Sequence, residues 1–435
     1  MSPLNVPPGS RKPSANASVK STAWLPARDG LKAGRAALAV VAPAAVLVAA
    51  LYAMAVNLLH MPAGRLSGQT WAWVDFHTYF ATAIVGIRDG WPSIYDQHLV
   101  EAAQRQLVPL QFSQPFVSPP SDALLVSPLT LLPYWLAVAV WASVSLLALA
   151  LALGWSTSYT GGARIAAVAA AMAPWWILLS VYVGQVVPLV AAAALVAWRL
   201  ARTNHDVAAG LVLALLALKP NTAIVVPFVL LAAGRWRIAA AWAAGTALMA
   251  GFSLLTIGFD ETREYLDALG QPPPGASALT LSGAFGLAGP LATACRVAIV
   301  GASLFVARAL RTTPGLVMAA GVLASMLVAP YLHNSDLCLL VAAAWMVWEE
   351  APMFRVPLIA MWLAAAPFVV QRQMGPSLEG WVRIELALFV GLAALAVLGG
   401  RFRISGPGTA LTDTAELGRH APAWSRAPGL NPREP

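Results

Sequence analysis

The chain has 435 residues, of which 59% are hydrophobic and 11% are charged, and its mean hydropathy is +0.70. Soluble domains carry about 25% charged residues, so this composition excludes an ordinary soluble protein and predicts an integral membrane protein. The net charge is +8, but in a membrane protein basic residues first indicate topology and contact with anionic lipids, so nucleic acid is not an expected partner. The two cysteines, Cys295 and Cys338, lie in apolar sequence without metal-ligand spacing and are expected to be buried structural thiols.

The apolar runs predict an all-α, polytopic membrane protein with about twelve membrane-spanning helices. Residues 1–35, rich in Pro, Ser and basic side chains, are expected to form a disordered cytoplasmic tail, as are residues 401–435. The membrane domain occupies 36–400. Its expected spans are 36–58, 134–155, 164–182, 186–200, 207–218, 221–233, 238–257, 289–308, 315–331, 337–348, 355–371 and 382–400.

The segment 59–122 is predicted to form a long extracytoplasmic loop after the first span. Its residues 74–80 read V-D-F-H-T-Y-F, where acidic, imidazole and aromatic side chains first crowd together. Farther along, Ile94, Leu99, Val100, Ala103 and Leu107 recur at helical spacing with polar residues between them. This pattern is typical of an amphipathic helix lying on the bilayer surface.

The basic residues predict the orientation of the chain. With the N-terminus in the cytoplasm, most Lys and Arg fall on cytoplasmic segments, including the short loops with Arg199/Arg202, Arg235/Arg237 and Arg308/Arg311. This is the bias expected of cytoplasmic loops, so Asp75 is predicted to be extracytoplasmic. Lys219-Pro220 interrupts the apolar stretch 207–233, whose halves are short for spans, so broken or re-entrant helices are an open alternative there.

This topology brings a set of polar residues near one membrane face: Asp75, His77, Gln185, Lys219, Asn221, His333, Asn334 and Asp336. Each has a structural alternative. Asp75 would be a solvated loop acid, Lys219 an interfacial lysine, and His333 with Asp336 a cap on the following helix. Taken together, ionisable residues at membrane depth are costly and usually mark a functional path. The set therefore predicts a functional site on the extracytoplasmic face.

A carboxylate beside cationic and amide donors suits group transfer to a hydroxyl. Asp75 would be the general base on an acceptor hydroxyl, and Lys219, with Arg296 or Arg383, would neutralise a phosphate leaving group. The outer loops contain no DxD pair, so neither a metal nor a cofactor is expected. A multi-span transporter or lipid flippase is the main alternative, and a scaffold is a third. The absence of an internal repeat and the clustering of polar residues at one face favour the enzyme.

Four stretches of the chain resemble the motifs of glycosyltransferase family 87, within the polyprenol-phosphate-dependent GT-C superfamily. They are D-F-H-T-Y at 75–79 with I-Y-D at 94–96; P-P at 119–120 with S-P-L at 127–129; G-Q at 184–185 with K-P at 219–220; and A-P-Y-L-H-N-S-D-L at 329–337. They occur in the family's order and cover most of 70–345. Ala329 departs from the family's pattern, which has Ser at that position.

The resemblance implies a GT-C-like fold in a bacterial inner membrane, with both termini cytoplasmic and the active site outside. It implies inverting transfer of a hexosyl group, with mannosyl as the expected sugar, from a polyprenyl-phosphate donor to a lipid or glycan acceptor. Asp75 would be the base and no metal would be needed. Lys219, His333, Gln185, His77, Tyr79, Asn221, Asp336 and Arg296 are the expected donor-phosphate or substrate contacts.

Overall fold

The computed structural model describes residues 26–60, 65–66, 69–70, 72–269, 279–366 and 377–399. The predicted tail 401–435, residues 1–25 of the predicted N-terminal tail and the end of the predicted span 355–371 lie outside these ranges. Within them, the only strands are two short antiparallel ones, β1 (Arg65–Leu66) and β2 (Gln69–Thr70), with Arg65 opposite Thr70. The rest is helices and connecting segments, so the all-α prediction is confirmed.

The helices in chain order are α1 Pro26–His60, α2 Val74–Arg88, α3 Gln97–Leu107, α4 Pro120–Val126, α5 Tyr134–Ser156, α6 Gly161–Met172, α7 Trp175–Val183, α8 Val187–Arg202, α9 Asp206–Leu213, α10 Pro220–Ala223, α11 Val226–Ala232, α12 Trp236–Ile257, α13 Phe259–Leu269, α14 Leu281–Phe285, α15 Gly289–Ala309, α16 Pro314–Val328, α17 Cys338–Glu350, α18 Arg355–Ala365 and α19 Leu378–Leu398. Short 3-10 helices cover Trp91–Tyr95, Ser127–Leu131, Ala214–Leu218, Asn334–Leu337 and Pro352–Phe354. α1 begins at Pro26, before the predicted start of the first span at residue 36.

Five helices of the described chain are long and apolar enough to cross a membrane: α1 over Val40–Leu59, α5, α12, α15 and α19. The pair α6–α7 makes a sixth if its two halves, bent by 65°, form one span. The other predicted spans correspond to shorter apolar helices. Several of these have a proline in their first turn, where this residue fits, whereas it does not fit the helix interior. The count of about twelve spans therefore stays a prediction.

The bend between α6 and α7 is held by a polar residue of α1. The Asn57 side-chain amide donates to the carbonyl oxygens of Ala173 at 3.0 Å and Ala366 at 2.7 Å. A break in a membrane helix leaves backbone carbonyls without their helical hydrogen bonds. Lipid cannot donate hydrogen bonds to these carbonyls, so a neighbouring side chain has to do so. Asn57 therefore stabilises the bend and joins α1 to the end of α18.

The centre of the bundle is α16. Every residue from Gly315 to Leu327 is buried, which fits a helix that is apolar on all sides. It packs against α8, α11, α15, α17 and α19. Its polar residue Ser325 donates to the carbonyl of Gly321 and accepts from the amide of Val225 at the start of α11. The buried hydroxyl therefore both donates and accepts a hydrogen bond.

One end of the bundle is tied together by Glu350, the last residue of α17. Its carboxylate accepts hydrogen bonds from the Trp198 indole of α8 at 2.7 Å and from the backbone amides of Gly315 at 2.8 Å and Leu316 at 3.2 Å. Arg202 lies 3.8 Å away and supplies a positive charge. Three helices are thereby fixed at the end of the bundle that carries the Arg199/Arg202 loop.

The segment 59–122 contains more helix than the sequence predicts. α2 is a largely buried helix where only a loop was expected. α3 is the helix that the periodicity predicts, and it packs on α2 through Val100 and Ala103. The position of α3 at the bilayer surface stays a prediction.

Candidate functional site

Asp75 lies in the first turn of α2, directly after a backbone residue of unusual conformation. Trp73, which precedes the helix, has φ +61°, in the left-handed region that few non-glycine residues adopt. Its amide donates to the carbonyl of Tyr182 at 2.6 Å, which fixes the start of α2 against the end of α7. Such strained residues persist only where the surrounding structure enforces them, and they concentrate at functional sites.

Both carboxylate oxygens of Asp75 accept hydrogen bonds from neutral amides. Nε2 of Gln114 donates to Oδ1 at 2.6 Å, and Nε2 of Gln185 donates to Oδ2 at 2.8 Å. Burial raises the pKa of Asp75, while the Gln114 hydrogen bond, the charges of Lys219 and His333, and the Gln185 hydrogen bond lower it, so that the net shift is upward. A raised pKa makes the carboxylate a stronger base than a solvated aspartate.

Gln185 connects Asp75 to the cation of the site. Its Oε1 accepts from Nζ of Lys219 at 3.1 Å and from the hydroxyl of Tyr79 at 3.3 Å, while its Nε2 faces Asp75. Tyr79 lies one helical turn after Asp75, on the same face of α2. Two donors on the oxygen and a carboxylate on the nitrogen fix the orientation of this amide.

Gly184 allows the turn that carries Gln185 to approach α2. Its φ is +80°, a left-handed conformation that favours glycine. A side-chain carbon at this position would collide with Cβ of Phe76, next to Asp75. The Trp141 indole also donates to the carbonyl of Gly184 at 2.9 Å. The glycine of the G-Q pair is therefore required by both conformation and space.

Lys219 lies at the break between the 3-10 helix Ala214–Leu218 and α10. Its side chain is only 12% exposed, and Nζ forms an ion pair with Oδ1 of Asp336 at 3.4 Å. Asn221, two residues later, donates to the carbonyl of Tyr331 at 3.3 Å. The interrupted helix thus brings a buried cation and an amide to the loop between α16 and α17.

That loop holds Asp336 and His333. Oδ2 of Asp336 accepts from the His333 amide at 2.8 Å and so caps the 3-10 helix Asn334–Leu337, while Oδ1 faces Lys219. Asp336 is fully buried, whereas the His333 side chain is 44% exposed. The exposed imidazole, close enough for its charge to act on Asp75, marks the open side of the site.

The structure separates two of the expected site residues from this cluster. His77 points into the packing between α2 and α3, where its Nε2 contacts the carbonyl of Gln104 at 3.0 Å, and burial lowers its pKa to about 4. Residues two apart on a helix face different sides, which explains why His77 and Asp75 diverge. Arg296 of α15 donates to the hydroxyl of Ser282 at 3.1 Å, and its described hydrogen bonds do not reach Asp75 or Lys219.

Residues 116–330 match the model of glycosyltransferase family 87. Over this range, just under half of its length, the chain is similar to glycosyltransferase family 87. The matched range includes Gln185 and Lys219, and Asp75 precedes it. The match supports a membrane glycosyltransferase and favours the enzyme over the transporter or flippase. No curated protein and no solved structure matches the chain.

Two residues of this site were missed from the sequence. Gln114 belongs to no motif, and its position depends on Gln104 of α3, which accepts from the Gln114 amide and donates to its carbonyl. Asp122, in the first turn of α4, is 2% exposed and lies close enough to Asp75 and Lys219 for their charges to act on it. The sequence offered no signal for Gln114, because an amphipathic helix such as α3 is expected to carry glutamines like Gln104. The P-P pair before α4 was the available signal for Asp122.

An apolar groove of about 890 Å³ lies next to the site. Its lining includes Ser121 and Leu218, which directly precede Asp122 and Lys219, and continues along α5, α8 and α12 to Trp155 near the far end of α5. The lining is almost entirely apolar. Within the described part of the chain, no three His, Cys, Asp or Glu side chains come together as metal ligands, and the prediction of a metal-independent reaction stays a prediction.

Proposed function

We propose that this protein transfers a hexosyl group, with mannosyl as the expected sugar, from a polyprenyl-phosphate donor to a hydroxyl of a lipid or glycan acceptor. The observation that carries the proposal is the chain Asp75–Gln185–Lys219. A single amide bonds both the half-buried carboxylate and the buried ammonium, at 2.8 and 3.1 Å. A base and a cation held at a fixed spacing suit a reaction that removes a proton at one atom and releases an anion at another.

In the proposed reaction, a carboxylate oxygen of Asp75 takes the proton of the acceptor hydroxyl. At the same time, the oxygen of the acceptor hydroxyl attacks C1 of the sugar. The bond between C1 and the phosphate oxygen breaks, its electron pair leaves with the polyprenyl phosphate, and the configuration at C1 inverts. General-base catalysis of this kind contributes about 10²–10⁴-fold to a rate. The raised pKa of Asp75 increases its strength as a proton acceptor.

Lys219 is the residue suited to the phosphate. Negative charge grows on the leaving oxygen as the bond breaks, and a cation already held in a buried site stabilises it without reorganisation. Asp336 keeps Lys219 charged in the free enzyme through their contact at 3.4 Å. The exposed His333 lies on the open side, where it can add a second positive charge when protonated.

The apolar groove supports a lipid-linked donor. Donor phosphate at Lys219 would put the first isoprene units of the lipid at Leu218 and Ser121, where the groove begins. A nucleotide-sugar donor has a second, charged phosphate followed by a polar ribose and base at that position, which an apolar lining does not satisfy. The groove therefore fits a prenyl chain and disfavours a nucleotide.

The separation of charges along the bundle supports an extracytoplasmic site. Asp75, Gln185, Lys219 and Asp336 contact one another at one end, while Glu350 and Arg202 lie at the opposite end of α17 and α8. The basic loops belong to that opposite end, and cytoplasmic loops are the ones enriched in Lys and Arg. The site is thus expected to face away from the cytoplasm.

A donor panel tests the proposal. The full chain in proteoliposomes is supplied with radiolabelled polyprenyl-phosphate mannose, polyprenyl-phosphate glucose, or the corresponding nucleotide sugars, with lipid extract as acceptor and with or without EDTA. We expect EDTA-resistant transfer from a polyprenyl-phosphate sugar and none from nucleotide sugars. Transfer from nucleotide sugars alone, or from no donor, would overturn the proposed donor class.

A further inference from the structure

Asp122 is a buried acid that the reaction described above does not use. It lies in the first turn of α4, directly after Ser121 of the groove lining, and is 2% exposed. Within the described part of the chain, neither of its carboxylate oxygens has a hydrogen-bond partner of normal geometry, although the Ser118 side chain lies beside it. A buried polar group without partners is costly, and native structures retain few of them.

The two structural roles open to Asp122 are filled or absent. Lys219 already has a counter-ion in Asp336 at 3.4 Å, and no described cation lies within ion-pair distance of Asp122. The start of α4 has no side-chain capping hydrogen bond, so Asp122 does not cap its own helix. Both oxygens of its carboxyl group are therefore buried without a structural partner.

The position of Asp122 indicates what it binds. Asp122 lies close enough to interact electrostatically with Asp75, the proposed base, and with Lys219, the proposed phosphate cation. Ser121, which precedes it in the chain, lines the apolar groove. The sugar of a bound donor must lie between the phosphate at Lys219 and the acceptor at Asp75. A sugar presents hydroxyl groups there, and a buried carboxyl group with two unpaired oxygens is a good hydrogen-bond partner for them.

We propose that Asp122 binds a hydroxyl group of the transferred sugar and so selects among donor sugars; this inference rests on the proposed function. Asp122 does not take the proton of the reaction, which goes to Asp75. Instead, it holds the ring at a fixed angle between the leaving phosphate and the attacking hydroxyl. A site built to bond a substrate hydroxyl discriminates strongly against an analogue that lacks it, because its own polar group is then left unpaired.

Monodeoxy donors provide the test. Wild type, Asp122→Asn, Asp122→Ala and the control Asp89→Asn, an exposed acid at the end of α2, are reconstituted as full chains. Each is assayed with polyprenyl-phosphate mannose, or the panel donor that the wild type uses best, and with the 2-, 3-, 4- and 6-deoxy forms of the same sugar. Each variant is first shown to be folded by gel filtration and thermal unfolding, and Asp122→Asn preserves the shape if Asp122→Ala does not fold.

For wild type and the control, we expect kcat/KM for one of the deoxy donors to be about 10- to 100-fold lower than for the parent donor. With folded Asp122→Ala, that ratio of parent to deoxy donor falls towards one, because the bond that the hydroxyl makes is already gone. With Asp122→Asn, whose neutral amide forms a weaker hydrogen bond than a carboxylate, the ratio falls part of the way. An unchanged ratio for every deoxy donor would overturn the role of Asp122 while leaving the proposed function standing. No transfer by wild type from any donor would overturn the proposed function, and this inference with it.

Discussion

Nε2 of Gln185 donates to Oδ2 of Asp75 at 2.8 Å, and Oε1 of the same amide accepts from Lys219 at 3.1 Å. Gln185 therefore aligns the proposed base and connects it to the proposed phosphate cation. Asp75 and Gln185 are 110 positions apart in the chain, and Gly184 allows them to meet.

Replacing Gln185 removes the alignment of Asp75. Gln185→Leu keeps the approximate volume but deletes the hydrogen bond to a charged acceptor, so kcat/KM is expected to fall about 10- to 100-fold. Gln106→Leu is the control, since Gln106 is exposed on α3. Steady-state transfer assays on both variants measure the effect, and equal activities would show that Gln185 does not act on the reaction.

Replacing Gln114 changes the pH dependence. The Gln114 hydrogen bond lowers the pKa of Asp75, so Gln114→Leu raises that pKa further. Activity requires the unprotonated carboxylate and is lost as the pH falls through its pKa. The acid limb of kcat/KM is therefore expected at higher pH in Gln114→Leu than in wild type or Asp89→Asn. An acid limb that stays in place or moves to lower pH would contradict the assignment.

Gly184→Ala is expected to destabilise the protein and disable the site. The left-handed conformation costs a non-glycine residue about 1–2 kcal/mol, and the added carbon collides with Phe76. Gly301→Ala is the matched control, because an added carbon there meets nothing within 4 Å. Thermal unfolding and transfer activity are measured for both. A Gly184→Ala protein with wild-type stability and activity would exclude the close approach of this turn to α2.

Glu350→Ala tests the opposite end of the bundle. It removes the acceptor of three hydrogen bonds and the partner of Arg202. The free energy of unfolding is therefore expected to fall by about 2–5 kcal/mol. Activity per folded molecule is expected to remain, because Glu350 does not contact the site. Glu101→Ala, which removes an exposed pair with Arg105, serves as the control in the same thermal unfolding series. Matching unfolding temperatures for the two variants would refute the role of Glu350.

Much of the helical pattern follows from the sequence, because apolar run length and proline position act locally. Pro133 precedes α5 and the K-P pair at 219–220 marks the break that the structure has. α2 was not expected, since its polar and aromatic residues hide a helix that is buried on several sides. Its buried faces depend on partners from α3, α4 and α7 that no local pattern reveals.

Some residues of the candidate site could likewise be predicted from the sequence, and others could not. Asp75, Gln185 and Lys219 stood out as polar residues near membrane depth, and the structure brings them into contact. His77 shared their local signal but faces α3, because the direction of a side chain depends on helix phase. Gln114 and Asp122 carried no signal of their own, since the tertiary packing of 108–122 against α2 positions them.

The most direct test of the account is single-turnover transfer from a labelled polyprenyl-phosphate sugar by wild type, Asp75→Asn and the control Asp89→Asn at matched folded protein. Asparagine preserves the shape of Asp75 but cannot accept the proton, so the rate is expected to fall about 10²–10⁴-fold, with donor binding retained. Asp89→Asn is expected to retain the wild-type rate. An Asp75→Asn rate close to that of wild type would show that another group takes the proton and would contradict the central claim.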